Sequence, residues 1–163
     1  MNTIIHMKKI LFLDIDGVLN SDEWFEKCYN KKVYDDGIDP KLVQKINKLD
    51  CEVVISSSWG CDNGQTWKKL HKKGFNLKVI GYTEHHEMGC VWIVRGNSIK
   101  KWLNDNIGYD YFKKCRYAIL DDDSDMLLEQ KDHFVKVDNM TGVTDADIEK
   151  TKMILEYEQT ANC

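Results

Sequence analysis

The sequence predicts a three-layer α/β/α sandwich built on a five-stranded parallel sheet. Short, nearly all-apolar runs recur along the chain, as expected of strands covered on both faces. Between them lie segments whose apolar residues fall at helical spacing. The two kinds of segment alternate, which is the pattern of a parallel sheet with helices on both sides.

The elements follow in order. Lys9 to Leu13 (KILFL) is the first strand. Asp39-Pro40 is a helix start, with Asp as the cap and Pro at the first helical position. Leu42, Val43, Ile46 and Leu49 then line one face of that helix. Cys51 to Ile55 (CEVVI) is the second strand. Trp67, Leu70 and His71 are spaced as the core-facing side of a helix, and Gly74 offers its C-terminal stop. Leu77 to Ile80 is a brief third strand. Ile99, Trp102 and Leu103 mark a further helix that ends near Gly108. Arg116 to Leu120 (RYAIL) and His133 to Val137 (HFVKV) are the fourth and fifth strands. Thr144 to Asp147 reads as a capping box with Asp in place of Glu, opening a last helix that runs to about Glu158.

The chain has 163 residues, 42% of them hydrophobic and 31% charged. A chain of this length hides about 70% of its extended surface on folding, enough for a core without metal or disulfide staples. One proline, no repeat and no linker-like stretch point to a single domain over residues 1–163. Only Asn20 to Gly37 breaks the alternation. It is long, polar and aromatic, and reads as an insert over the sheet's edge. The net charge of −4 gives no global pull toward nucleic acid or an anionic membrane. No apolar run approaches the roughly 20 residues of a membrane span, and Met1 to His6 is no secretory signal. A cytoplasmic protein is expected. The six cysteines (Cys28, Cys51, Cys61, Cys90, Cys115 and Cys163) show no close pairing and read as free thiols. A zinc site drawing on His85 and His86 would need the ligand spacing that is missing here.

In a sheet of this kind ligands bind beyond the carboxyl ends of the strands. The first strand exits into Asp14-Ile-Asp16-Gly17, the second into Ser56-Ser57-Ser58, and the fourth into Asp121-Asp122-Asp123 with Asp125 close behind. These exits share one rim. Carboxylates gathered there repel one another unless a cation sits among them. Oxygen donors without His or Cys suit Mg²⁺. A scheme for phosphoryl chemistry follows. One carboxylate attacks phosphorus, and a second, two residues on, passes protons to the leaving group and from water. A hydroxyl holds one oxygen of the anion, and a cation offsets its charge. Arg95 stands before Gly96-Asn97-Ser98, where a phosphate would meet a guanidinium and a helix N-terminus together. Lys100 is the alternative cation.

Other readings of these residues fit less well. A calcium loop at Asp14 would place Phe25 at its twelfth position, and one at Asp121 would place Met126 where the turn needs Gly. No GxxxxGK[ST] occurs, which excludes a P-loop kinase. Trp24, Phe25 and Tyr29, interleaved with Lys27, Lys31 and Lys32, read either as an insert packed on the rim or as a base-stacking platform. Lys68, Lys69, Lys72 and Lys73 read as a solvated helix face. Trp67 and Trp102 read as core.

The order and spacing of the exits carry a resemblance. Asp14 and Ser56 are 42 positions apart, and Ser56 and Asp121 are 65 apart. DIDGVLN (Asp14 to Asn20), VISS (Val54 to Ser57), Arg95 or Lys100, and ILDD (Ile119 to Asp122) resemble motifs I to IV of the haloacid dehalogenase (HAD) superfamily of phosphohydrolases. Four details resemble the small HAD domain associated with Swiss-army-knife RNA-repair proteins. They are DIDGVLN, SSSW, the RG…I..WL run from Arg95 to Leu103, and Leu120-DDDSDM followed by Thr141-Gly-Val-Thr144.

The resemblance implies a Rossmann-like, HAD-like fold with a minimal cap. It implies Asp14 as nucleophile forming an aspartyl-phosphate, and Asp16 as general acid/base whose carbonyl also binds Mg²⁺. Ser56 would bind the phosphoryl group with Ser57 beside it, Arg95 or Lys100 would stabilise it, and Asp121 with Asp122 would complete the metal shell. Together these imply a Mg²⁺-dependent phosphomonoester hydrolase, with a nucleotide or nucleic-acid 5′ or 3′ end phosphate as preferred substrate. A phosphatase of other phosphorylated small molecules is the alternative. So is a non-catalytic phosphoacceptor or binding module, although a receiver-type acceptor Asp is missing from the third strand's end at Gly81-Tyr82-Thr83.

Overall fold

A computed structural model of the chain describes residues 7–32, 36–61, 64–84, 86–87 and 91–157. Five strands form one parallel sheet: β1 (Lys8–Leu13), β2 (Glu52–Ile55), β3 (Val79–Tyr82), and further along β6 (Cys115–Asp121) and β7 (Phe134–Lys136). Two shorter strands, β4 (His86–Glu87) and β5 (Val91–Trp92), pair antiparallel as a separate ribbon. The helices are α1 (Asp22–Asn30), α2 (Pro40–Ile46), α3 (Gln65–Lys72), α4 (Arg95–Asn106), α5 (Tyr111–Lys114) and α6 (Asp145–Glu156).

The sheet order is β3-β2-β1-β6-β7. The chain builds outward from β1 to β3, then crosses back to the other side of β1. The crevice where that reversal occurs, at the carboxyl ends of β1 and β6, is the ligand position of open α/β sheets. Side chains alternate across the sheet, so each central strand feeds two cores. Leu11, Leu13, Val53, Ile55, Ala118 and Leu120 face α2, α3 and α6. Ile10, Phe12, Val54, Tyr117 and Ile119 face Ile99, Trp102 and Leu103 of α4. Phe12 meets Trp102 edge-on at 5.6 Å and Tyr117 at 6.0 Å. Each fully buried side chain of this size contributes roughly 1.5–3 kcal/mol.

The local signals work as their chemistry requires. The Asp39 carboxylate accepts the Lys41 N–H at 2.8 Å, with Pro40 in the first helical position. The Thr144 and Asp147 side chains cap each other's backbone N–H groups. Gly74 ends α3 at φ +87°, in the left-handed region that suits glycine.

The third strand lies two residues later than the sequence predicts. Lys78 still accepts a backbone bond from Val53, but the register against β2 shifts between Val53 and Val54. Trp67 is a second correction. It is 44% exposed and stacks on His71 at 5.1 Å along the surface of α3, so Leu70 and Thr66 carry that helix's buried face. The lysine face is only partly solvated: Lys69 Nζ lies 4.7 Å from the centre of the Trp59 ring, and Lys73 pairs with Asp36 at 3.0 Å.

Residues 20–37 contain a helix that the sequence pattern did not announce. Ser21 caps α1 by accepting the Trp24 N–H, and α1 buries no residue. The Asp22 and Glu23 N–H groups bond to the carbonyls of Asn139 and Met140, which tie its start to the loop after β7, an edge strand. Cys28, Cys51 and Cys115 are free thiols. The zinc alternative at His85 falls outside the described residues. No helix among the described residues is long and apolar enough to cross a membrane.

Candidate active site

The rim of the sheet is held by its own ladder. The backbone pairing runs one bond past each strand: Asp14 N–H to Leu120 O at 3.0 Å, Ser56 N–H to Leu13 O at 2.8 Å, Thr83 N–H to Ile55 O at 3.0 Å and Val137 N–H to Asp121 O at 2.9 Å. The first residue beyond β1 is therefore fixed beside the end of β6, although the two are far apart in sequence. Ligand oxygens of Asp14, Asp121 and Asp122 lie within 4.8 Å of one another.

Asp14 and Asp121 are buried, Asp122 half-buried. Burial pushes the Asp14 carboxyl up to about 6, against the pull of Arg95, Ser57 and the Ile15 backbone. Burial, and then the charge of Asp14, push Asp121 up to about 8. Asp122 is raised by desolvation first and by Asp123 second. The Asp121 Oδ1 accepts the Asp123 N–H at 2.9 Å, while its buried Oδ2 has no hydrogen-bond partner and faces only the Arg95 Nε, 3.4 Å away. A buried carboxylate oxygen without a hydrogen bond is costly. With only oxygen donors converging, the cluster fits a hard divalent cation such as Mg²⁺. Gly17 allows this packing. Its φ is +69°, and a Cβ there would collide with the Asp122 carboxylate.

Arg95 reaches into the cluster from the first turn of α4. Its Nη1 lies 3.1 Å from Asp14 Oδ1 and also donates to the Ser56 carbonyl, and its Nε lies 3.4 Å from Asp121 Oδ2. Lys100 points elsewhere and pairs with Glu129 at 2.9 Å on the surface. Of the two cations named from sequence, Arg95 alone joins the carboxylates. The expectation of a free helix N-terminus beside it needs correcting. The Arg95 N–H donates to the Asp125 carboxylate at 2.8 Å and the Gly96 N–H to the Asp125 carbonyl at 3.2 Å. Asp125 thus caps α4 and occupies the amides that a phosphate would have used.

Ser56 and Ser57 are both buried at the exit of β2. The Thr83 hydroxyl donates to Ser56 Oγ at 3.3 Å, and Ser57 hydrogen-bonds Asp14. Asp16 is exposed and lies outside the three-carboxylate group. Its Oδ1 accepts from the Asn20 amide at 3.0 Å and its Oδ2 from the Trp59 indole at 2.8 Å. Sequence reasoning assigned no role to Asn20, Trp59 or Thr83. Asn20 stood in the DIDGVLN run and at the start of the insert, and Trp59 in the SSSW run; a single sequence holds no signal for their partners.

Residues 10–148 match the HAD domain in Swiss Army Knife RNA repair proteins. The chain belongs to this family. Membership supports phosphohydrolase-type chemistry in an RNA-repair setting, and domains of this superfamily typically use Mg²⁺, in keeping with the Asp14, Asp121 and Asp122 cluster. No curated protein and no solved structure matches the chain.

Proposed function

We propose that the chain is a Mg²⁺-dependent phosphomonoester hydrolase acting through an aspartyl-phosphate on Asp14, with the end phosphate of a nucleotide or nucleic acid as substrate. One observation carries the reading: Asp14, Asp121 and Asp122 converge within 4.8 Å beside Arg95. This happens at the reversal point of the sheet, where the fold presents ligands.

The residues divide the work as follows. In the first half-reaction an Asp14 carboxylate oxygen bonds to phosphorus as the ester P–O bond breaks. Asp16 gives a proton to the departing oxygen. In the second half-reaction Asp16, now ionised, takes a proton from water as the water oxygen attacks phosphorus. The bond between Asp14 and phosphorus then breaks, returning the carboxylate and inorganic phosphate. Arg95 offsets charge on the non-bridging oxygens, and Ser56 with Ser57 orients the phosphoryl group. Asp14, the Asp16 carbonyl, Asp121 and Asp122 would hold the cation. When bound, it would neutralise the attacking and transferring oxygens.

The preference for a nucleotide or nucleic-acid end rests on the family and on α1. That helix exposes Phe25 (46%) and Tyr29 (86%), with Trp24 packed edge-on to Phe25 at 5.0 Å. Exposed rings stack bases at about 1–3 kcal/mol each, and α1 follows Asp16 closely in the chain, starting at Asp22.

Turnover of an aryl phosphate with Mg²⁺ tests the chemistry. Asp14→Asn should lose activity at least about 10³-fold, and wild-type turnover in that variant would remove Asp14 as nucleophile. For the substrate, end-phosphorylated oligonucleotides should be cleaved with higher kcat/KM than sugar phosphates. Equal or better cleavage of sugar phosphates would contradict the nucleic-acid preference.

A further inference from the structure

Asp16 is gripped on its outer side by two neutral donors from different parts of the chain. The Trp59 indole N–H donates to Oδ2 at 2.8 Å and the Asn20 amide to Oδ1 at 3.0 Å. Both donors are themselves fixed. The Asn20 amide also bonds the Gly37 carbonyl at 2.9 Å, and its Oδ1 accepts the Gly17 N–H at 2.8 Å. Asn20 is 1% exposed. The Trp59 ring is partly buried against the α2 side of the core. It lies against Gly37, where a Cβ would come within 2.9 Å of its edge, and Lys69 Nζ sits over its face at 4.7 Å. An exposed carboxylate on a turn ordinarily samples several rotamers. Here each oxygen is tied once, which fixes the plane of the carboxyl group and leaves each oxygen a lone pair for proton transfer.

We propose that Trp59, assisted by Asn20, is the positioning residue that sets the carboxyl plane of Asp16 for proton transfer to the leaving group. The proposal rests on the phosphohydrolase reading and deepens it. Proton transfer to a leaving group matters in proportion to how poor that group is. A displaced acid therefore harms esters of basic alcohols and spares esters of acidic phenols. A merely structural tryptophan would lower turnover of every substrate alike.

Trp59→Phe keeps an aromatic ring at this position and removes the donor, together with the outer indole edge that lies on Gly37. With Mg²⁺ and a series of phosphomonoesters, its kcat/KM should stay within about twofold of wild type for 4-nitrophenyl phosphate. It should fall by about tenfold or more for alkyl phosphates, a fraction of the 10²–10⁴ that a positioned acid supplies. Asp16→Asn should show the same trend more steeply. Equal loss across the series, or no loss with any ester, would overturn the proposal.

A second measurement does not need activity. In the ¹H–¹⁵N spectrum the indole signal that vanishes in Trp59→Phe should move upfield in Asp16→Asn, because the carboxyl acceptor has been replaced by an amide. An unmoved signal would show that the bond is absent and the proposal wrong. If that signal moves but wild type turns over no phosphomonoester, the functional reading fails, and the catalytic role of the clamp falls with it.

Discussion

Arg95 and Lys100 are five positions apart on one helix, which places them about 140° apart around its axis. Ile99, Trp102 and Leu103 face the sheet, so one of the two cations is turned toward the carboxylates and the other toward solvent. Arg95→Ala should lower kcat/KM for an aryl phosphate by about 10²–10³, as expected when a preorganised charge is removed from a developing one. Lys100→Ala should change it by less than about twofold. The reverse result would assign the phosphate clamp to Lys100. The acidic residues were legible because each exit ends a readable strand and carboxylates are costly to gather without a purpose. The partners of Asp16 were not. Trp59 and Asp16 are 43 positions apart, and only the sheet register brings the indole to the carboxylate.

At the scale of elements, α1 carries the substrate argument. It buries nothing, so its aromatic residues are free of core duties. Phe25→Ala combined with Tyr29→Ala should change the unfolding free energy by no more than the roughly 0.5 kcal/mol of ordinary surface substitutions. It should lower kcat/KM on end-phosphorylated oligonucleotides about tenfold, a stacking loss of about 1–3 kcal/mol, and leave aryl phosphate turnover unchanged. Equal losses on both substrates would count against the stacking role. The central strands were readable because burial on both faces demands uninterrupted apolar runs such as KILFL and RYAIL. Helix α1 has no apolar stripe to bury, so its periodicity was silent, although Ser21 followed by Asp22 and Glu23 is a fair N-terminal signature. Strands β4 and β5 are two residues each, too short for alternation to register. The open N-terminus expected of α4 is absent for a different reason: its cap, Asp125, comes from 30 positions further along the chain, not from the residue before the helix.

At the scale of the whole molecule, the carboxylate cluster makes stability depend on pH and on metal. Asp14 and Asp121 are held above the ordinary carboxylate value of 3.8, at about 6 and about 8. Between those limits the folded metal-free protein binds more protons than the unfolded chain. Its stability therefore falls as pH rises from about 4 toward about 8. A divalent cation bound only by the folded state opposes that fall by mass action, and most strongly where the carboxylates are ionised. Melting temperature followed from pH 5 to pH 8, with and without Mg²⁺, should show a decline that Mg²⁺ flattens. Asp121→Asn should abolish both the decline attributable to that residue and most of the response to Mg²⁺. A flat metal-free profile, or an equal Mg²⁺ response in wild type and Asp121→Asn, would contradict the convergence of these side chains on one divalent ion.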